Sequence, residues 1–413
     1  MSAIANIGKY LINNKPDFLF GLIRNIRPNL SVPGANGPVF ITRFDDVCEA
    51  LERPEVFNVI YAPMMDPSVG PFMLGRDNTT INQRDKGIMR ALMQREDLPR
   101  IRETVKQLSK NAIAPHLIDG KIDVVKHVSR LVPLQLTGEY FGFPGPDIET
   151  MARWSFKTQH DMFHNNSGDE RVHAANVQSG LEMKTYLDSW IPERVEALRE
   201  NPALDDILCR LLKLKTPEEI GFGDDRIASN IMGTLVGGIE TTSQAVAQIL
   251  QQLFNRPEML AGAIDAANND DELLFAYCWE ALRFDPITPF VIRHCSEDYK
   301  IASGTMRSLK IKAGRTVLIS TRSAMRDGRE LPSPRKFTID RPEYHYLHTG
   351  YGLHTCLGNQ ISRVQIPEIV RQLLLLPEVK ELVPISKDGS PYLEEGVESP
   401  FPETYVLGFD TKA

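Results

Sequence analysis

Hydrophobic residues in this chain recur with the helical period far more often than with the alternation of strands. The longest run lies between Asp225 and Phe254, where Ile227, Ile231, Leu235 and Ile239 fall four apart and Val246, Ile249, Leu250 and Leu253 continue the stripe. Residues four apart share one face of a helix, so the spacing predicts one long amphipathic helix. Further helices are predicted over Phe44–Leu51, Ile101–Ile113 and Asp271–Arg283, the last stopped by Asp285-Pro286, since proline disfavours helical geometry in the residue before it. A final helix is predicted from Gly358 to Leu376, with Pro367 inside it as the source of a kink. Strand-like runs are short: Val39–Thr42, Ser308–Ile311 and Thr316–Ile319. Pro144-Gly145-Pro146 punctuates the helical middle, and neither a repeat nor a low-complexity linker interrupts the chain. The expectation is a mainly α fold with a minor β region, an N-terminal segment over 1–34 and one domain over 35–413.

Composition narrows the function. A chain of 413 residues with 42% hydrophobic and 24% charged positions is an ordinary globular protein with a sizeable core. A net charge of −7 without any dense basic run argues against nucleic-acid binding, which needs concentrated Lys and Arg. Cys48, Cys209, Cys278, Cys295 and Cys356 are odd in number and form no CxxC pair, so a disulfide framework is not expected and a cytoplasmic location is. Met1–Arg27 is broken by Lys9, Asn13, Asn14, Lys15 and Asp17. It reads as neither a signal peptide nor a span of about 20 apolar residues, so no membrane is expected as a partner.

The densest chemistry is Gly350-Tyr351-Gly352-Leu353-His354-Thr355-Cys356-Leu357-Gly358. Three glycines around one cysteine let the backbone turn tightly and approach a flat group closely. The helix that follows puts Cys356 at a helix N-terminus, where the dipole and unpaired N–H groups favour a thiolate. A single thiolate without further Cys or His at ligand spacing does not make a zinc site. It suits the axial position of a haem, where electron push from sulfur favours O–O cleavage. For a lone cysteine the commoner role is a small buried hydrophobe; the glycines and His354 turn the balance.

This segment resembles the haem-binding signature of the cytochrome P-450 superfamily, an aromatic, two residues, Gly, one residue, His or Arg, one residue, Cys, one residue, Gly. Gly352, His354, Cys356 and Gly358 match in type and spacing, and Thr349 stands where the family has phenylalanine. The resemblance implies haem b held by Cys356, with Gly350, Gly352 and Gly358 shaping the loop and His354 donating to a propionate. It implies the triangular, mainly helical fold with the haem between the long central helix and the cysteine loop.

Inside the long helix stand Gly237-Gly238-Ile239-Glu240-Thr241-Thr242. Two glycines in a helix interior cost roughly 2 kcal/mol relative to alanine, which points to a need for space or a local distortion. Threonine bonding back to the i−4 carbonyl also bends helices. A plain packing contact between crossing helices would explain the glycines equally. Gly238, Glu240 and Thr241 resemble the family's Gly-x-acid-Thr motif, which implies proton delivery by Thr241 with Glu240 as its acidic partner. Peroxygenase and isomerase members often lack this pair.

Glu280 and Arg283 share a helix face, on spacing alone a surface pair worth ~0–1 kcal/mol. They fall where the family has Glu-x-x-Arg, and Arg341 in Phe337-Thr338-Ile339-Asp340-Arg341 resembles the third charged member of a structural network. By the same resemblance Arg293 and Arg90 serve the propionates. Lys86 replaces a family histidine four residues before Arg90, and Tyr346 replaces another, its hydroxyl still able to donate.

A loop from about Asn58 to Leu74 is expected to cover the open face of the haem. Met64, Met65 and Phe72 from it, Leu235, Gly237 and Gly238 from the long helix, and Ile287 and Phe290 form the candidate substrate lining, with core filling as the alternative for several. Arg153–Gly180 is read as a mobile lid with His160, His164 and His173 solvated in it. The resemblance covers about residues 35 to 410. It implies a monooxygenase inserting one atom of dioxygen into a small, largely apolar substrate. Electrons would come from a separate ferredoxin or flavodoxin-type donor with its reductase, attracted by cations such as Arg363 and Arg371. A peroxygenase or haem-thiolate isomerase is the alternative, and a non-catalytic haem sensor another.

Overall fold

The computed structural model of the chain describes residues 15–34 and 37–411, so the reading of Met1–Arg27 lies partly outside the described residues. No helix among them is long and apolar enough to cross a membrane. Two compact units form, each from separate stretches: residues up to Ile60 with Trp279–Cys356, and Tyr61–Cys278 with the residues from Leu357 onward.

Strand alternation builds the first unit. Its five-stranded sheet runs Asn29–Ser31, Val39–Ile41, Thr316–Ile319, Val291–Cys295, Phe57–Asn58. Neighbours are antiparallel except Val39–Ile41 and Thr316–Ile319, which run parallel with Val39 beside Val317. Successive strand residues point to opposite faces. Val39, Ile41, Val317 and Ile319 therefore join one core cluster with Val47 and Met325, while Phe40 and Leu318 pack with Phe20 and Ile23. The last two belong to the helix Pro16–Ile26.

The Glu280–Arg283 pair is wholly buried in this unit, both residues being 0% exposed. Arg283 donates through Nε and Nη2 to the two Glu280 oxygens at 2.8 and 2.7 Å. Its remaining donors go to the carbonyls of Met325, Pro334 and Lys336 at 2.9 to 3.1 Å. Arg341 reaches the same carboxylate at 3.3 Å, and the Thr338 N–H at 2.9 Å. Tyr346 donates its hydroxyl to Glu280 at 3.2 Å, so that hydroxyl serves this network and not a propionate. A buried carboxylate saturated this way tolerates its surroundings; one stripped of its cation does not.

The second unit is helical, with one small sheet of Lys121–Asp123, Thr404–Gly408 and Lys380–Ser386. Helices form at Leu98–Ile113 and Asn359–Leu374, close to the ranges expected. The long central helix is two, Asp224–Gly238 and Glu240–Phe254, broken at Ile239. The segment read as a covering loop contains the helix Ala62–Val69. Its carbonyl at Met64 accepts from Asn176 at 2.9 Å, a residue of the helix Glu170–Glu200. At Gly180 the two helices approach so closely that a Cβ would overlap the Ser68 carbonyl.

The stretch read as a lid is helical, and its histidines are not all solvated. Ile148–His164 and Glu170–Glu200 are regular helices separated by a short turn. His160 is buried, His164 packs edge-on against Phe401 at 5.0 Å, and His173 bonds Asp161 at 2.8 Å. Burial pulls the His164 pKa down to about 3, so the ring is neutral. Apolar packing, not solvent, surrounds it.

Arg283→Ala leaves Glu280 charged and buried, and is expected to lower unfolding stability by ~3–5 kcal/mol in urea titrations. A loss below about 1 kcal/mol, the range of a surface pair, would contradict the network. Gly180→Ala is expected to cost ~1–3 kcal/mol by overpacking, read as a lower Tm; an unchanged Tm would show that the helices move apart freely.

Candidate functional site

In the first unit the site is the cysteine loop. Cys209, Cys278 and Cys295 are buried, Cys48 is partly buried, and Cys356 is exposed. Burial pushes the thiol of Cys48 up to about 12 and raises those of Cys209, Cys278 and Cys295. Those four are thereby held as thiols, which leaves the sulfur of Cys356 as the one placed to act as a ligand. Its amide donates to the Thr349 carbonyl at 2.8 Å. Gly350 and Gly352 take φ of +83° and +65°, a region other residues avoid. A Cβ on Gly352 would also lie 2.8 Å from the Leu51 carbonyl oxygen. The helix Asn359–Leu374 starts three residues after the cysteine, with Gly358 as its N-cap.

Arg293 lies on the strand Val291–Cys295 and is 5% exposed. Its guanidinium donates only to the Ile292 carbonyl, at 2.8 Å, and meets no carboxylate among the described residues. A sheltered cation without an anion fits an acidic group brought by a ligand. His354 ends a short 3-10 turn, Gly352–His354, and is partly buried.

In the second unit the site is the helix break. Ile239 sits at φ −97° and ψ −70°, outside regular helical values. The Thr241 hydroxyl donates back to the Gly237 carbonyl at 2.7 Å, the i−4 bond expected to bend a helix. Gly237 is exposed and Gly238 partly so, although Leu235, Val236, Ile239 and Glu240 around them are buried. A Cβ on either glycine would find nothing within 4 Å among the described residues. These glycines therefore border open space and are not a helix-crossing contact. An open strip of backbone and a thiolate-competent loop are what a flat, metal-bearing group requires of a chain, so the residues present fit a haem.

Glu240 lies elsewhere on the helix, 1% exposed. Arg130 clasps it, with Nε at 3.0 and 3.1 Å and Nη2 at 2.9 Å. Nη1 of the same arginine donates to Glu403 at 3.3 Å. Burial raises the pKa of Glu240, opposed by Arg130 and reinforced by Glu403. Arg130 and Glu403 are functional candidates that the sequence did not disclose. They lie 110 residues before Glu240 and, just ahead of the strand Thr404–Gly408, 163 residues after it, and no local pattern marks either.

Among the other candidates, Arg90 is exposed at the end of the helix Thr80–Leu92, and Lys86, one turn earlier, is buried. Met64 is partly buried, whereas Met65 and Leu235 are enclosed by protein. Phe72 lies against the backbone of Gly233. Phe290 packs with Phe20 at 6.0 Å, in the cluster beneath the N-terminal helix, and Ile287 is partly exposed. The cations proposed to attract a redox partner border a cleft of about 510 Å3, with Arg102, Asp271, Phe275 and Glu368. Arg371 is paired there with Asp271 and with Glu368, and Arg363 stacks on Phe275 at 4.1 Å. The charge of Arg371 is thus met within the protein by two carboxylates.

The sequence model of the cytochrome P-450 family matches residues 170–381, just over half of the chain. Mycinamicin IV hydroxylase/epoxidase from Micromonospora griseorubida is 24% identical over 351 residues, 83% of each chain. Vitamin D(3) 25-hydroxylase from Pseudonocardia autotrophica is 24% identical over 339 residues, 80% of this chain and 78% of the relative. Substrate-free CYP109E1 from Bacillus megaterium superposes with a TM-score of 0.77 at 21% identity, over 96% of this chain and 99% of its own. Family match, hydroxylating relatives and shared fold agree with the thiolate loop and the broken helix: the chain belongs to the cytochrome P-450 family and is a haem monooxygenase.

Proposed function

We propose that Cys356 is the axial ligand of haem b, and that Thr241 and Glu240 deliver protons while an apolar substrate is oxidised. The observation that carries this reading is the exposed cysteine in a loop whose glycines hold positive φ. When bound, the haem supplies the iron centre that activates dioxygen. Arg293, Arg90 and His354 offer the cationic and N–H partners that two propionates need; Lys86 adds positive charge one turn from Arg90. Gly350, Gly352 and Gly358 let the loop lie close to the macrocycle.

Thr241 holds its proton on the Gly237 carbonyl, a bond to a neutral acceptor that is readily exchanged for water. Glu240 directly precedes Thr241 in the chain and, as a buried carboxyl with a raised pKa, keeps a proton to higher pH than an exposed one. Together they restore the hydroxyl proton each time Thr241 gives one up. Open backbone at Gly237 and Gly238 leaves room for substrate in the second unit, with the partly buried Met64 as a candidate for its lining and Met65, Phe72 and Leu235 packed in the core of the same unit. Relatives named for hydroxylating vitamin D(3) and for hydroxylating or epoxidising mycinamicin IV support oxidation of an organic small molecule as the reaction. Electrons come from a separate donor of ferredoxin or flavodoxin type with its reductase. The presence of both Thr241 and Glu240 favours dioxygen over peroxide as oxidant.

Thr241→Ala is expected to keep dioxygen consumption within about threefold while peroxide release per dioxygen rises and product falls at least tenfold, the scale of a lost general acid. Coupling equal to the parent would remove Thr241 from proton delivery. Arg293→Leu is expected to lose haem to apomyoglobin several-fold faster without loss of fold by circular dichroism; an unchanged rate would exclude it as a propionate partner.

A further inference from the structure

Two carboxylates and one guanidinium are enclosed together in the second unit. Glu240 is 1% exposed, Glu403 2% and Arg130 7%. With all three ionised the cluster carries one net negative charge, in surroundings where isolated charge is unfavourable. The division of donors is unequal. Glu240 receives the two-point bond from Nε and Nη2, while Glu403 receives Nη1 alone, at 3.3 Å. Nη2 also reaches the Pro402 carbonyl at 3.3 Å, and Ser399 donates to the other Glu403 oxygen at 2.7 Å.

Other groups facing the cluster are few. Tyr392 feels all three charges, with Glu149 beyond it. Asp123 accepts from the Tyr405 amide at 3.2 Å, and Lys387 is engaged with the Pro400 carbonyl at 2.8 Å. His127, three residues before Arg130, has its pKa lowered by burial and lies 4.3 Å from the ring of His116. On the central helix, Ser243 meets Ser129 through their hydroxyls at 2.8 Å. Arg130 is the cation that bonds both carboxylates.

We infer that Glu403 is a positioning residue for proton delivery: by sharing the guanidinium of Arg130 and adding a second negative charge, it makes Glu240 a carboxyl that readily takes up a proton. This rests on the reading of Glu240 as the acid that serves Thr241. A carboxylate alone with a two-point arginine in a buried site is held ionised and has no proton to give. Glu403 divides that arginine's field and repels a second negative charge at Glu240. The proton then cycles: Glu240 as carboxylic acid releases it toward the Thr241 hydroxyl, is left as carboxylate, and regains one from solvent water. Glu403 touches neither substrate nor haem in this role; it acts through Arg130.

The sign follows from charge. Replacing Glu403 by a neutral isostere leaves Arg130 wholly to Glu240 and removes the repulsion, so Glu240 loses its proton at lower pH. Infrared difference spectra of the haem-loaded enzyme across pH read the carboxylic-acid stretch that disappears in Glu240→Gln. In Glu403→Gln the midpoint for losing that band is expected to fall by about one pH unit, and Glu403→Asp, which keeps the charge, is expected to restore it. Ser399→Ala leaves the three charged groups in place and removes the donor to the other Glu403 oxygen, and is expected to move the midpoint by less than Glu403→Gln does. Hydrogen peroxide released per dioxygen consumed, with NADH and a surrogate ferredoxin pair, should rise at correspondingly lower pH in Glu403→Gln. A midpoint unmoved in Glu403→Gln and Ser399→Ala overturns the inference while leaving Glu240 in place. If Glu240→Gln itself removes no band and leaves peroxide release unchanged, the assignment of Glu240 fails, and this inference with it.

Discussion

A metal-binding sulfur has to satisfy two conditions that oppose each other in a folded protein. It must be reachable, and it must be held where its charge is favoured, although reachable loops move and rigid cores exclude charge. The chain meets both at Cys356 through its backbone. Positive φ at Gly350 and Gly352 and the bond from the Cys356 amide to the Thr349 carbonyl close the turn. The helix Asn359–Leu374 begins three residues further along the chain. The turn is tied to the core by Tyr346, whose hydroxyl bonds Glu280. That links the loop to a carboxylate whose every oxygen is committed to Arg283, Arg341, Thr338 or Tyr346 itself. The ion pair matters less as a source of stability than as an anchor that admits one geometry.

Buried charge is used in two contrasting ways. Around Glu280 positive and negative groups saturate one another, and nothing remains for a ligand. Arg293 is sheltered and, among the described residues, bonds a carbonyl and no carboxylate, which is why we propose it as a partner for an acidic group from outside the chain. The cluster of Arg130, Glu240 and Glu403 falls between these cases, with one cation for two anions. Saturation gives rigidity, deficit of anion gives binding, and deficit of cation gives a group able to change its protonation state.

Much of this was legible where the chemistry is local. Helical spacing found the central helix, and the paired glycines with Thr241 marked the place where it breaks at Ile239. Glycines around Cys356 and the Glu280–Arg283 spacing marked the loop and its anchor through family resemblance; burial then showed the pair to be interior, which spacing alone argued against. Long-range pairing was not legible. Arg130 meets Glu240 across 110 residues and Glu403 across 273, with no period or motif to join them. Tyr346 was read as a hydroxyl able to donate and Arg371 as a cation facing a redox partner; their bonds to Glu280 and to Asp271 and Glu368 were not visible in the sequence. His160 and His164 looked solvated because the stretch is polar, whereas the fold sets them against Phe156 and Phe401; His173 remains partly exposed and pairs with Asp161.

Sulfur ligation by Cys356 is the claim from which the rest follows, and the absorption spectrum of the reduced carbonyl complex tests it most directly. Purified, haem-supplemented protein should show the far red-shifted Soret band characteristic of a thiolate ligand, and Cys356→Ser should lose that band while its circular dichroism stays that of the parent. A parent band at the position given by nitrogen ligation, or a red-shifted band that survives in Cys356→Ser, would contradict the account.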